Sequence, residues 1–267
     1  MGVLLEMSNV TVIRGRTKVF DRFTLEIQQG CNTAIVGPNG AGKSTLVKLV
    51  SGEVRPVFSP DSYMKVFDKD RWNLWDLRSH LGIISHDVQC EYHDTVLGIN
   101  VVLSGFYSSV DTWRHQQFNG QHYRKAEEVI ELLGVSALME RPFGSMSTGE
   151  QRCFLLGRAL VNDPIALLPD EPTSGLDPRA SFRYRECIRD LMQTGTTVLL
   201  TTHHIHEIPP EIERVVLLKN GGLFADGSRR DMLTSRTLSA LFDFPLRAVS
   251  VKGTCHLFPR QPGAAST

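Results

Sequence analysis

Gly37-Pro38-Asn39-Gly40-Ala41-Gly42-Lys43-Ser44 decides the reading of this chain. It fits G-x-x-x-x-G-K-[ST], follows the apolar run Thr33-Ala34-Ile35-Val36 and precedes a stretch whose Leu46, Leu49 and Val50 fall on one helical face. From average residue usage, a chance match in a chain this long is on the order of one per cent, before the flanks are counted. Glycines let successive amides curl around phosphates, and a helix N-terminus adds partial positive charge. Lys43 reaches the β/γ oxygens, and Ser44 offers a hydroxyl to Mg²⁺. The pattern implies a nucleotide triphosphate bound at a strand–loop–helix unit.

Outward from this loop the pattern is α/β. Upstream, Val10-Thr11-Val12-Ile13 and Phe23-Thr24-Leu25-Glu26-Ile27 alternate around Arg14-Gly15-Arg16 and predict an antiparallel pair. Downstream, Leu81-Gly82-Ile83-Ile84, Ile165-Ala166-Leu167-Leu168, Thr197-Val198-Leu199-Leu200 and Arg214-Val215-Val216-Leu217-Leu218 are short apolar runs with helical patterns between several of them. That alternation predicts a mostly parallel buried sheet. Between about residues 88 and 158 the periodicity turns helical, with Ala126, Val129, Ile130 and Leu133 on one face and Gly134 as a stop. Trp72 and Trp75, three apart, are expected to pack one helical face. Leu238, Leu241 and Phe242 predict a short packed helix, followed by a hairpin through Val249 and Leu257, and residues 260–267 read as a loose tail.

Composition narrows the function classes. Of 267 residues, 29 are Lys or Arg and 29 Asp or Glu, so the formal charge is zero and no excess builds the basic face of a nucleic-acid binder. No apolar run approaches the roughly 20 residues of a membrane-spanning helix. Cys31, Cys90, Cys153, Cys187 and Cys255 are odd in number and form no C-x-x-C, which fits reduced thiols and a cytoplasmic location. His203, His204 and His206 share one segment, but no second cluster completes a metal site.

Further motifs follow in fixed order: Met146-Ser147-Thr148-Gly149-Glu150-Gln151, Leu167-Leu168-Pro169-Asp170-Glu171-Pro172, Ser174-Gly175-Leu176-Asp177 and Thr202-His203-His204. Together with the loop they resemble the ATP-binding cassette (ABC) ATPases, over about residues 3–230. In detail the chain is most similar to the small cassettes of molybdenum- or iron-type importers, through Gly82-Ile83-Ile84-Ser85, Ser104-Gly105-Phe106 and His203-His204-Ile205-His206-Glu207-Ile208-Pro209-Pro210. The resemblance implies a P-loop, RecA-like core with an N-terminal antiparallel β-subdomain and an inserted α-helical subdomain. Residues 1–87 and 159–230 would form the core, 88–158 the helical subdomain and 231–267 a C-terminal extension.

The resemblance also implies roles. Lys43, Glu171 and His203 would be catalytic, Glu171 aligning or deprotonating the attacking water and His203 sensing the γ-phosphate. ATP would lie on Gly37, Asn39, Gly40, Ala41, Gly42, Lys43, Ser44 and Thr45. Ser147 and Gly149 of a second copy would close over it, so each active site needs two chains. Ser44 and Asp170 would hold Mg²⁺, joined by His86, which replaces the usual metal-touching Gln; a neutral imidazole can accept from a metal-bound water. Arg14 stands where the family stacks an aromatic on adenine, and a guanidinium can stack there too. Pro169 cannot donate a ladder hydrogen bond, so its strand is expected to end early.

Several of these residues have plainer readings. Ser147 and Glu150 form a capping box, Asp177-Pro178 is an N-cap and N1 pair, and His203 could be a satisfied structural histidine. Val101-Val102-Leu103-Ser104-Gly105-Phe106-Tyr107 lies where the family docks membrane partners, yet most of it suits core packing. The leading expectation is the ATP-hydrolysing subunit of an importer, a homodimer on ATP binding, cytoplasmic and held to the inner face of the membrane by a permease. A soluble regulatory or repair-associated ATPase is the alternative, and a nucleotide-binding module without turnover the third. No nucleic acid is expected as a partner.

Overall fold

The computed structural model describes residues 2–260 and divides into two compact units, one from residues up to 71 and from 199 onward, the other from 72–198. Residues 261–267, most of the expected tail, lie outside the described residues.

The first unit opens with a hairpin of β1 (Val3–Arg14) and β2 (Thr17–Gln28), turned at Gly15 with φ +60°. Alternation sends Val10 and Val12 of β1, and Phe20, Phe23, Leu25 and Ile27 of β2, into the interior, each no more than 3% exposed. β3 (Thr33–Val36) is buried throughout, as a strand covered on both faces must be. α1 (Lys43–Val50) buries Leu46, Leu49 and Val50 as expected. β4 (Tyr63–Val66) then adds to β1, giving the order β2-β1-β4; the Tyr63 hydroxyl donates to Glu6 Oε1 at 2.6 Å.

The second unit is mostly helical: α2 (Leu74–His80), β5 (Leu81–Ile84), α3 (His86–Cys90), α4 (Gly98–Leu103), α5 (Gly120–Leu132), α6 (Thr148–Leu160), β6 (Ala166–Pro169), α7 (Pro178–Gln193) and the first residues of β7 (Thr197–Thr202). β5 and β6 run parallel, Leu81 opposite Ala166 and Ile84 opposite Pro169. β6 ends at Pro169 and pairs with β7 only through Ala166 and Leu167, in accord with the missing proline donor. α4 and α6 supply the core through Val101, Val102, Leu103, Phe154 and Leu156, all 0% exposed, each contributing about 1.5–3 kcal/mol on full burial. The Val101–Gly105 segment is therefore packing, while Phe106 and Tyr107 are half-buried against His122 and Phe118. α5 stops at Gly134, φ +64°, where Arg183 Nη2 donates to the carbonyls of Leu133 and Gly134 at 2.8 and 2.9 Å.

The expectation for the two tryptophans is overturned. Trp72 precedes Asn73, the N-cap of α2, and its ring meets His80 at 5.5 Å, whereas Trp75 on α2 is 61% exposed. A helix of seven residues capped at Asn73 leaves Trp72 outside, and Leu77 is the residue that α2 buries.

The first unit resumes with the end of β7, β8 (Arg214–Lys219), β9 (Gly222–Ser228), α8 (Arg229–Met232), α9 (Ser235–Phe242), β10 (Leu246–Val251) and β11 (Thr254–Pro259). β3 lies between β7 and β8, parallel to both, and β9 closes the edge antiparallel. Leu238 and Leu241 bury α9, and β10–β11 is the expected hairpin, turned at Lys252-Gly253 with both φ positive. No described helix is long and apolar enough to cross a membrane.

Candidate functional site

In the first unit, two strand ends converge. Val36 on β3 is the register partner of Thr202 on β7, so the loop from Gly37 and the turn at His203 leave adjacent parallel strands at the same level. Carboxyl ends of parallel strands are where such sheets bind ligands.

The loop's geometry is fixed by close approaches. A Cβ on Gly37 would lie 2.3 Å from the Leu218 carbonyl oxygen on β8. Gly40 and Gly42 have φ of +79° and +106°, and a Cβ on Gly42 would sit 2.7 Å from the Phe20 ring. The Ala41 N–H donates to Pro38 O at 3.2 Å, curling the chain back on itself. Lys43 Nζ donates to the carbonyls of Gly37 and Pro38 at 3.0 and 3.2 Å, with the side chain 5% exposed. The ammonium is thus bound into the loop while Asn39, Gly40 and Ser44 face solvent and Ala41 and Thr45 are buried. No side chain caps α1 and its first turn holds no acid, so the partial positive charge of its N-terminus is not offset within the helix itself.

Arg14 ends β1 opposite Thr17 and is exposed; Phe20, nearest the loop, is committed to stacking on Phe23 at 4.7 Å. His203 is half-buried, its ring 3.8 Å from that of His204.

The second unit places its candidates at strand ends too. Asp170 follows β6, its N–H donating to Ile84 O at 2.8 Å, and the loop of Ser85 and His86 leaves β5 at that level. Glu171 has φ +47°, a left-handed conformation costly for a residue with a Cβ. Ser85 caps α3, and His86 Nδ1 lies 3.4 Å from Cys90 Sγ. Gln89 Nε2 donates to Gln151 Oε1 at 2.6 Å, tying α3 to α6.

Ser147 is the N-cap of α6, with the expected capping box: its Oγ accepts from the Glu150 N–H at 3.4 Å and Glu150 Oε2 accepts from the Ser147 N–H at 2.7 Å. Gly149 has a packing reason that sequence reasoning missed: a Cβ there would lie 2.6 Å from Ala180 Cβ on α7. Asp177 caps α7 through the Ala180 N–H, with Pro178 in the first turn.

Arg152, one turn into α6, also escaped the sequence reading. It is 1% exposed, its Nε and Nη1 have no hydrogen-bond partner, and burial pulls it below the usual guanidinium range despite the Tyr184 hydroxyl and Asp170 carboxylate. A buried charge satisfied this poorly is a net cost. Arg152→Met is therefore expected to raise Tm by about 2–4 °C for each kcal/mol recovered. A thermal melt showing a fall in Tm would contradict this.

The family model for ABC transporters matches residues 20–174. The chain belongs to the ABC transporter family of ATPases. This cassette is 32% identical over 224 residues to the ABC transporter ATP-binding protein ModF of Escherichia coli, covering 82% of this chain but only 45% of ModF. It is 29% identical over 275 residues to the hemin import ATP-binding protein HmuV of Bradyrhizobium diazoefficiens, covering 100% of this chain and 98% of HmuV. Its fold is that of the ATP-binding cassette MJ0796, solved as a dimer in a post-hydrolysis state with ADP and phosphate: TM-score 0.68, 22% identity, 84% of this chain and 98% of that one. The cassette thus has the α/β architecture expected, with a parallel sheet core, antiparallel strands and the loop between β3 and α1.

Proposed function

We propose that this cassette is the ATP-hydrolysing subunit of an importer and works as a homodimer. The observation that carries the reading is the loop itself: buried Lys43 lashed to two loop carbonyls, two glycines at positive φ, and an uncapped helix start. Likeness to HmuV over 98% of its length supports import. We take residues 1–87 and 159–230 as the RecA-like core, 88–158 as the helical subdomain and 231–267 as an extension.

In this reading the loop from Gly37 to Thr45 cradles the triphosphate with its N–H groups, from Asn39 onward, and with Lys43, and Arg14 meets the base. Phosphoryl transfer to water leaves a protein little covalent work, so catalysis is positioning and charge stabilisation. Glu171 holds the water in line and takes its proton, the water oxygen bonds to the γ-phosphorus, and the bond to the ADP oxygen breaks. His203 donates to the γ-phosphate. Ser147, with Gly149, supplies the N-terminus of α6 from a second copy, closing the site from above. Ser44, an exposed hydroxyl, and the carboxylate of Asp170 are hard oxygen donors that would hold Mg²⁺, and a neutral His86 would accept from a water on the ion. The ion when bound would neutralise charge on the β- and γ-oxygens. Closure and reopening of the dimer would drive a permease partner, placing the cassette at the inner face of the membrane.

The test is a tagged pull-down from membranes in mild detergent. A stoichiometric polytopic membrane protein is expected, released or retained according to nucleotide. Recovery of the cassette alone or with soluble partners only, while it still hydrolyses ATP, would instead support a regulatory ATPase.

A further inference from the structure

The geometry points to Glu207 as a positioning residue for His203, acting through a closed circuit of three hydrogen bonds that pins the turn after β7. The Thr202 hydroxyl donates to Glu207 Oε2 at 2.7 Å. The same Thr202 oxygen accepts from the His204 N–H at 2.9 Å. The His204 carbonyl accepts from the Glu207 N–H at 3.0 Å, closing the ring. The circuit joins residues 202, 204 and 207 and skips His203, whose side chain it presents from between two fixed points.

Three features make the circuit rigid. Thr202 is 0% and Glu207 4% exposed, so water competes little for these bonds. Ile205 and Ile208, 2% and 0% exposed, anchor the short 3-10 turn Ile205–Glu207 in the core. The His204 ring lies 3.8 Å from that of His203 and 5.6 Å from that of His206, which faces His256 of β11 at 6.5 Å. The sensor therefore rests on a row of rings reaching the C-terminal hairpin. As the acceptor that orients the Thr202 hydroxyl, the buried Glu207 carboxyl sets where the backbone turns.

This inference rests on the proposed role of His203, and its test separates the two. Steady-state kinetics of Glu207→Leu and Thr202→Val should show kcat reduced by about tenfold to a hundredfold, the cost of a small misplacement, with KM for ATP within about twofold. Glu207→Gln keeps an acceptor oxygen and should recover most of the rate. The Thr202→Val, Glu207→Leu double variant should be no worse than either single one, because both break one circuit. Hydrogen exchange at the His204 amide should speed up in Glu207→Leu and not in Glu207→Gln, at unchanged protection of β3. Unaltered kcat in Glu207→Leu, losses that multiply in the double variant, or unaltered exchange at His204 would each overturn the inference. If His203→Ala itself turns over normally, the sensor assignment falls, and the exchange measurement still decides whether the circuit exists.

Discussion

Glu171→Gln is expected to abolish steady-state phosphate release, by about 10²–10⁴-fold, while leaving ATP affinity and Tm unchanged. The change is isosteric, keeps the backbone and removes only the capacity to take a proton. Glu171 shares its positive φ with several other described residues, but it is the one that directly follows Asp170 at the end of β6; φ +47° costs roughly 1–2 kcal/mol for a residue with a Cβ, and strain of that kind persists where the surroundings over-determine it. Its neighbours show how: the Ser174 N–H donates to Glu171 O at 3.2 Å and the Leu176 N–H to Thr173 O at 3.1 Å, so the chain coils tightly after β6. A second variant separates strain from chemistry. Glu171→Gly should be as inactive as Glu171→Gln yet melt at the same or a higher temperature, because glycine relieves the positive φ. A Glu171→Gln protein that hydrolyses ATP within a few-fold of the parent would remove Glu171 from the reaction.

Gly37→Ala should cost both stability and nucleotide binding, because the added methyl group strikes backbone inside the phosphate loop. Its Cβ would sit 2.3 Å from the Leu218 carbonyl oxygen and 3.0 Å from Ala41 Cβ, and the carbonyl belongs to β8, paired along β3 and unable to step aside. Either β3 and β8 separate or the loop is displaced, and both disturb the carbonyl that holds Lys43. The expected outcome is at least 1–3 kcal/mol of lost stability with nucleotide binding lost as well. Gly40→Ala is the internal comparison, since no atom lies within 4 Å of its Cβ and only the φ of +79° opposes it, at about 1–2 kcal/mol. Calorimetric titration with ATP should show binding by Gly40→Ala and none by Gly37→Ala. The reverse order would mean that loop shape is not set by the packing described.

Much of this was legible in the sequence because it depends on local pattern. The β1–β2 hairpin, the β3–loop–α1 unit, the buried parallel strands, the Ser147–Glu150 capping box and the α9–hairpin extension all follow from periodicity and cap chemistry. The elements that escaped are those whose reason is tertiary. β4 is four residues given strand character by pairing with β1 through Tyr63 and Lys65 on Glu6, and β9 is an edge strand fixed by β8. Trp72 and Trp75 carry helical spacing, but the Asn73 cap places one outside the helix and the other on its solvent side.

The candidate site was legible as motifs and not as geometry. The loop signature named Lys43 but could not say that the side chain would be buried against its own loop. Gly149 belongs to a motif, yet its contact with Ala180 shows a helix–helix approach that spacing alone does not reveal. Arg152 and Glu207 were invisible for the same reason: a charged residue in a helical or turn segment reads as solvated until the neighbouring elements are in place.

The central claim is that two copies of this chain close over ATP, each completing the other's site through Ser147. Light scattering on Glu171→Gln with MgATP tests it most directly, because blocked turnover should hold the closed state. The account predicts a shift from 29.8 kDa to twice that mass on adding MgATP, reversed by removing nucleotide and prevented by Ser147→Arg. A species that stays at 29.8 kDa while ATP is bound, or one that doubles equally well with Ser147→Arg, would contradict it.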